Sequence, residues 1–188
     1  MLMITGAYGW EHDQWQGTYY PNEIATDWHL TFYAKEFQTA LAPVSFWSDC
    51  SVEDIEEFCS DVTEDFTLIF EQNDNENDEA TVQLQQLIAE LVPNWIVFRN
   101  DAWQKEENNY LIKQAEIVGN KNLAENSAVF SVYSNDVLRD VELREIMSFL
   151  KKEFKEKYDV IYLFFDGALV SMDVLNTVKT LRKMLALD

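Results

Sequence analysis

Apolar residues along this chain occur in short continuous runs that alternate with stretches of helical spacing. Leu2 to Tyr8 is the first run and predicts a strand, and Thr26-Asp27 then marks a helix start. Trp28, Leu30, Tyr33, Ala34 and Phe37 fall on one face of that helix. Thr39 to Trp47 reads as a second strand, irregular from Ala42 onward or at a sheet edge, because Pro43 has no N–H for a ladder. Ser51-Val52-Glu53-Asp54 has the form of a capping box, and Val52, Ile55, Phe58 and Cys59 supply the buried face of the helix behind it. Phe66 to Phe70 is a third strand. Thr81 to Leu91 is helical, with Leu84, Leu87, Ile88 and Leu91 on one side and Pro93 as its stop, and Trp95 to Arg99 is a strand.

Gln104 to Leu123 reads as a helix followed by a weak strand over Ala115 to Val118 that ends at Gly119. Ala128 to Tyr133 is a strand of good β character. Val141, Ile146, Phe149, Leu150 and Phe154 mark a long amphipathic helix, Val160 to Phe165 the most apolar strand, and Val174, Leu175, Val178, Leu181 and Leu185 a closing helix. Strand followed by helix, six or seven times, predicts an α/β fold with a parallel sheet and helices packed outside it. Short connections leave two architectures, an abbreviated (β/α) barrel and an open doubly wound sheet. A full eight-unit barrel takes about 250 residues. With 188 residues the chain is read as a single domain, and any barrel must be shortened.

Composition narrows the function. The chain is 47% apolar and 14% aromatic, with no run near the length of a membrane span. Its start, Met1-Leu2-Met3-Ile4-Thr5, has no basic region and reads as a strand, so a cytoplasmic protein is expected. Cys50 and Cys59, nine apart without a Cys-x-x-Cys pair, predict two reduced thiols and neither a zinc site nor a disulfide framework. The formal charge is −20, and it is lopsided: residues 1–98 hold 19 acids against the single base Lys35, and residues 99–188 hold 15 against 13. Such a field repels phosphate backbones, so no direct nucleic-acid binding is expected. It is either a solvated surface or a docking surface for a basic protein partner. The polar run Glu71 to Glu79 has the composition of a calcium loop, but lacks a glycine six positions from Asp74 and has Gln85 at the twelfth, so no metal is assigned.

Chemistry concentrates in the first loop. Gly6 to Pro21 holds three of the five glycines and two of the six tryptophans, where a first strand opens into a loop, and binding loops on α/β scaffolds are written this way. The spacing Gly6, Gly9, Gly17 with bulky aromatics between is not a dinucleotide loop, and the chain has no Gly-x-Ser-x-Gly or His-Glu-x-x-His. Gly6-x-x-Gly9-Trp10 followed by Trp15-x-Gly17-x-Tyr19-Tyr20-Pro21 and a helix with Leu30-x-x-Tyr33-Ala34-x-x-Phe37 resembles the YecE-like family, the TIM-barrel proteins called domain of unknown function 72. Ser45-Phe46-Trp47, Phe98-Arg99-x-x-x-Trp103 and the ending from Tyr162 to Asn176 agree with it in order. The resemblance implies an abbreviated TIM-barrel-like fold with six to seven parallel strands and outer helices, lacking one strand between Phe70 and Thr81.

It also implies losses. The family's second-strand Glu and Asn fall on Leu41 and Pro43, its third-strand Lys on Glu71, its fifth-strand Glu on Val97, its penultimate-strand Arg and His on Val132 and Ser134, and its closing Phe-Asn-Asn on Phe164-Phe165-Asp166. The surviving set at the strand ends comprises Trp10, Trp15, Tyr19, Tyr20, Arg99 and Trp103 as candidate ligand-binding residues, with His12, Glu71 and Asp166 as candidate acids or bases. The plainer alternative is that the aromatics plug the barrel mouth and that Arg99 pairs with Glu71 or Asp166. His29 reads as a packing residue. The functional expectation is a bacterial, cytoplasmic, non-catalytic binding protein without cofactor, whose acidic half meets a basic partner and whose shortened barrel is closed by a partner or a second copy. The alternatives are an enzyme on a small anionic substrate, as the family's similarity to sugar-isomerase-type barrels implies, and an immunity-type protein for a basic toxin.

Overall fold

A computed structural model describes residues 1–47, 50–72, 86, 88, 90, 95–107, 109–121 and 126–188. Seven strands form one sheet in the order β1-β7-β6-β5-β4-β3-β2: β1 (Leu2–Ala7), β2 (Thr39–Ala42), β3 (Thr67–Glu71), β4 (Trp95–Glu106), β5 (Leu111–Lys121), β6 (Ser127–Ser134) and β7 (Val160–Gly167). The helices whose bounds lie among the described residues are α1 (His29–Ala34), entered through a 3-10 turn at Thr26–Trp28, then α2 (Val44–Trp47), α3 (Val52–Asp61), α4 (Asp140–Phe154) and α5 (Met172–Met184). The mixed α/β class read from the sequence holds. No helix among the described residues is long and apolar enough to cross a membrane.

Three expectations are corrected. The sheet is not all parallel, because β5 runs antiparallel to both β4 and β6. No helix forms from Gln104: β4 continues through Gln104, Lys105 and Glu106, which pair with Lys113, Ile112 and Leu111. The turn is closed by Glu107 N–H donating to the Tyr110 carbonyl at 2.9 Å, and a connection this short can only reverse the chain, since a parallel neighbour needs a crossover. The second strand also stops at Ala42, before Pro43, and Val44–Trp47 is helical. The helix expected over Thr81 to Leu91 lies outside the described residues except for Gln86, Ile88 and Glu90, which are helical. The polar run from Asn73 to Glu79 lies outside them altogether.

Both faces of the sheet are buried. On one, Leu41, Ile69, Ile96, Ala115, Val129, Tyr162 and Phe164 pack together with Ile4 and Tyr8. On the other, Phe130, Val132, Ile161, Leu163 and Phe165 pack against α4 and α5 through Ile146, Leu150, Val174 and Val178. The continuous burial of Ile161 to Phe165 along β7 is that of a strand covered on both sides. The first face finds its cover in the sheet itself, which curls until β2 touches β1 and β7. There β1 and β2 meet through one parallel bridge, Tyr8 with Leu41, and the Gly9 N–H to Leu41 carbonyl bond of 2.8 Å. No ladder joins them, and the sheet is not a closed barrel.

Two residues hold that approach. A Cβ on Gly6 would run into the Thr39 carbonyl and the Phe164 ring, so only glycine lets β1 come this close. From α1, the Tyr33 hydroxyl accepts from the Ala7 N–H at 2.9 Å and donates to the Thr39 carbonyl at 3.2 Å, satisfying both strands at once. On α3 the capping box is complete, with Asp54 N–H on Ser51 Oγ and Ser51 N–H on the Asp54 carboxylate.

Candidate functional site

The first loop is packed into the protein. Trp10, Trp15 and Tyr20 are 2%, 1% and 1% exposed. Trp15 lies parallel to Tyr33 at 5.9 Å and donates Nε1–H to the Val170 carbonyl at 3.1 Å, tying the loop to the segment after β7. Tyr20 donates its hydroxyl to the Trp10 carbonyl at 2.7 Å and stacks on His29 at 4.0 Å. Gly17, with φ of +72°, makes the turn that brings Tyr20 back over Trp15. Tyr19 is half-buried, edge-on to Trp15 and Phe32, and burial raises its pKa. These rings fill the space between the loop and α1.

Polar side chains do gather at the ends of β1, β3 and β7. Alternation carries Tyr8, Glu71 and Asp166 onto the same face as Ile4, Ile69 and Phe164. The Tyr8 hydroxyl donates to Glu71 Oε2 at 2.6 Å, and the Val44 N–H donates to the same oxygen at 3.3 Å. Burial, and then the Glu71 carboxylate, raise the Tyr8 pKa. Asp166 accepts from the Gly167 N–H at 2.6 Å. Burial raises its pKa, while that N–H and the charges of His12 and Lys113 oppose the rise. His12, half-buried and edge-on to Trp15 at 4.6 Å, has its pKa lowered by burial, with the Gly9 and Tyr8 carbonyls and the Asp166 charge opposing. An acid pushed up and a base pushed down within reach of each other's charge are the kind of groups that serve acid–base chemistry. Tyr8 and Lys113 escaped the sequence reading: alternation along the first strand was a signal for Tyr8, whereas Lys113 lies in a stretch whose sequence reads as helical. Among the described residues no three His, Cys, Asp or Glu side chains come together as a metal site.

Arg99 is placed opposite Glu116 in the ladder, and its side chain lies outside what is described. A bulge separates it from Trp103, whose ring, 36% exposed, stacks on Phe149 at 6.3 Å and meets Phe154 edge-on at 5.8 Å, on the helix-bearing face.

A second feature lies outside the strand ends. Between the turn before α1 and the start of α3 is a cleft of about 150 Å³ whose rim carries Glu11, Asp27, Asp54 and Glu57 and whose floor includes Trp10 and Phe46 in edge contact at 4.3 Å. Burial, and then Asp27, raise the Glu11 pKa. None of the four makes an ion pair among the described residues, and Lys35 instead lies over the Phe32 ring at 5.6 Å. Trp28, expected on the apolar stripe of α1, is 63% exposed. The helix begins one residue later, so Trp28 belongs to the preceding 3-10 turn and leaves the helical period.

His29 is 8% exposed and neither ring nitrogen has a partner. Burial lowers its pKa below the ordinary 6.5, with Asp27 opposing. The unfolded chain therefore takes up a proton that the folded one resists, and stability falls as pH drops below about 6.5. His29→Phe, which keeps the stack on Tyr20, is expected to add about 1–3 kcal/mol and to flatten the acid limb of stability against pH. Urea unfolding at a series of pH values reads both effects.

Residues 4–74 match the family described as a protein of unknown function, DUF72. A DUF72 family protein from Thermotoga maritima MSB8, known from a crystal structure, superposes with a TM-score of 0.59 at 12% identity over 99% of this chain and 100% of its own. One from Enterococcus faecalis V583 superposes with a TM-score of 0.62 at 11% identity over 100% of this chain and 96% of its own. No curated protein matches the chain. The match over residues 4–74 bears out the resemblance read from the first loop to DUF72, a family of unknown function, and the two DUF72 structures share the fold.

Proposed function

We propose that this chain, which resembles the DUF72 family, is a binding protein that engages a basic partner protein through its acidic N-terminal half. The observation that carries the reading is the cleft lined by Glu11, Asp27, Asp54 and Glu57, none of which makes an ion pair among the described residues. Like charges held together cost stability, and a partner's cations relieve that cost on binding. Its scaffold we read as an abbreviated (β/α) barrel that has lost one strand of its family, supported by the curl of the sheet that brings Tyr8 to Leu41. Leu41 is fully buried among apolar side chains where the family resemblance places a carboxylate, which favours binding over catalysis. Immobilised chain is expected to retain basic proteins from a lysate at low salt and to release them at high salt. Retention that is insensitive to salt would count against the reading.

The position of His12 within reach of the Asp166 charge at the strand ends suggests a second reading, an enzyme acting on a small anionic substrate there, with Lys113 and Arg99 as the cations. Sugar phosphates are then expected to raise the melting temperature of the wild type, and Arg99→Ala to abolish the rise. Asp166→Asn is expected to stabilise the unliganded protein at neutral pH, because a carboxyl with a raised pKa resists ionising in the fold. That gain disappears as pH falls and Asp166 is protonated. The absence of any ligand-induced rise across such compounds would remove the enzymatic reading.

A further inference from the structure

Between α5 and the turn that joins α1 to β2, a pocket of about 180 Å³ gathers three of the chain's 14 bases, Lys179, Arg182 and Lys183. It shares no residue with the acidic cleft or with the polar groups at the strand ends. The three are spaced i, i+3 and i+4 on α5, so one helical face presents them together. Two lie in the last turn, where cations favour the helix dipole. That explains their place on the helix but not how Arg182 is held. Its side chain is 16% exposed and its Nη2 donates to Asp188 Oδ1 at 3.1 Å. Its Nε is shut off from solvent and has no acceptor, which is costly for a guanidinium N–H. Nε and Nη2 form one edge of the arginine fork, and a single oxygen of Asp188 holds half of it.

The other groups are no better matched. Asp188 is 49% exposed. It is carried to Arg182 by Ala186, whose φ of +51° turns the chain back so that the Leu187 carbonyl can accept from the Met3 N–H at 2.8 Å. Lys179 lies over the Phe37 ring at 3.9 Å and comes no nearer to Glu36 than 3.6 Å. Lys183 makes no ion pair among the described residues. We propose that this pocket binds a phosphate dianion, free or as the phosphoryl group of a small ester, with Arg182 as its fork and Asp188 as the carboxylate it replaces. With Asp188 displaced, three cations face the one carboxylate of Glu36, and the excess of two positive charges is matched by a dianion. Two phosphate oxygens take the Nε–Nη2 edge and the others are left for Lys183 and Lys179. The volume is that of about six waters at roughly 30 Å³ each, enough for phosphate and little more. The acidity of the rest of the chain does not prevent binding, because at physiological salt charges beyond about 8 Å are largely screened.

The test is a titration with inorganic phosphate at neutral pH, with ionic strength held constant by sodium chloride. Phosphorus NMR line widths give the affinity, and the Arg182 Nε–H resonance, identified by its loss in Arg182→Lys, reports the place. Phosphate is expected to shift that resonance to saturation. Arg182→Lys keeps the charge and loses the fork, and is expected to bind about tenfold more weakly, the loss of one charge-assisted hydrogen bond. Asp188→Asn is expected to bind about two- to fivefold more tightly, because the competing carboxylate of a half-exposed pair is gone. That variant keeps the test decisive if Arg182→Lys does not fold. Glycerol phosphate distinguishes the source: tighter binding than free phosphate assigns the site to an ester, weaker binding to the free ion, and either supports it. A response no larger than that to chloride, an equal response to acetate, or an Asp188→Asn variant that binds no better would each overturn the proposal. So would a response that Arg99→Ala abolishes and Arg182→Lys retains, which would move the anion to the strand ends.

Discussion

Trp15→Ala is expected to destabilise the fold by about 4 kcal/mol, since emptying a buried tryptophan site costs roughly 3–5. Against a total stability of about 5–15 kcal/mol that is enough to bring the protein near its unfolding threshold. Trp15 is 1% exposed and touches His12, Tyr19, Tyr20 and Tyr33, so no neighbour can fill the space without giving up another contact. The hydrogen-bond part of the loss is small, because the Val170 carbonyl keeps the Gln14 Nε2 donor at 2.8 Å. Trp15→Phe therefore separates the two contributions: it retains a ring against Tyr33, gives up the N–H, and is expected to cost much less than the alanine. Urea denaturation reads both. A loss below about 1 kcal/mol in the alanine variant would mean that the first loop is not part of the core, since surface changes fall in that range.

The same loop shows how far the sequence could be read. Its glycines and aromatics marked the place where β1 opens, and the helix stripe Leu30, Tyr33 and Phe37 is buried as expected. Each of those residues packs through its own local period, and periodicity is what a sequence displays directly. The capping box at Ser51 and the apolar β7 were legible for the same reason.

What was not legible depends on partners distant in the chain. Gln104, Lys105 and Glu106 favour a helix in isolation, and only pairing with Leu111 to Lys113 makes them a strand. Trp103 was read as a strand-end residue from the family block it shares with Arg99, but it pairs with Gln114 and its ring lies on the helix-bearing face, against Phe149. The Tyr8 contact with Glu71 spans 63 positions, and nothing local announces it. Trp28 was misplaced by a single residue of helix boundary, which is the least certain quantity in any reading of a sequence.

The acidic cleft supplies the other large effect. Glu11→Gln, Asp27→Asn and Glu57→Gln together remove three rim charges and leave the Ser51–Asp54 capping box in place. At about 0.2–1 kcal/mol for each exposed charge contact, the triple variant is expected to bind oligoarginine about tenfold more weakly. Net charge alone would produce some weakening, so the informative comparison is a second triple variant of equal charge, with Glu64→Gln, Asp65→Asn and Glu153→Gln at exposed positions away from the cleft. Oligoarginine affinity at several salt concentrations, measured for the wild type and both triples, is the most direct test of a basic-partner surface. The expected result is a tenfold loss and a shallower salt dependence confined to the cleft variant. Equal losses in the two variants would mean that the charge acts diffusely, as a solvated surface, and would contradict a docking site at the cleft.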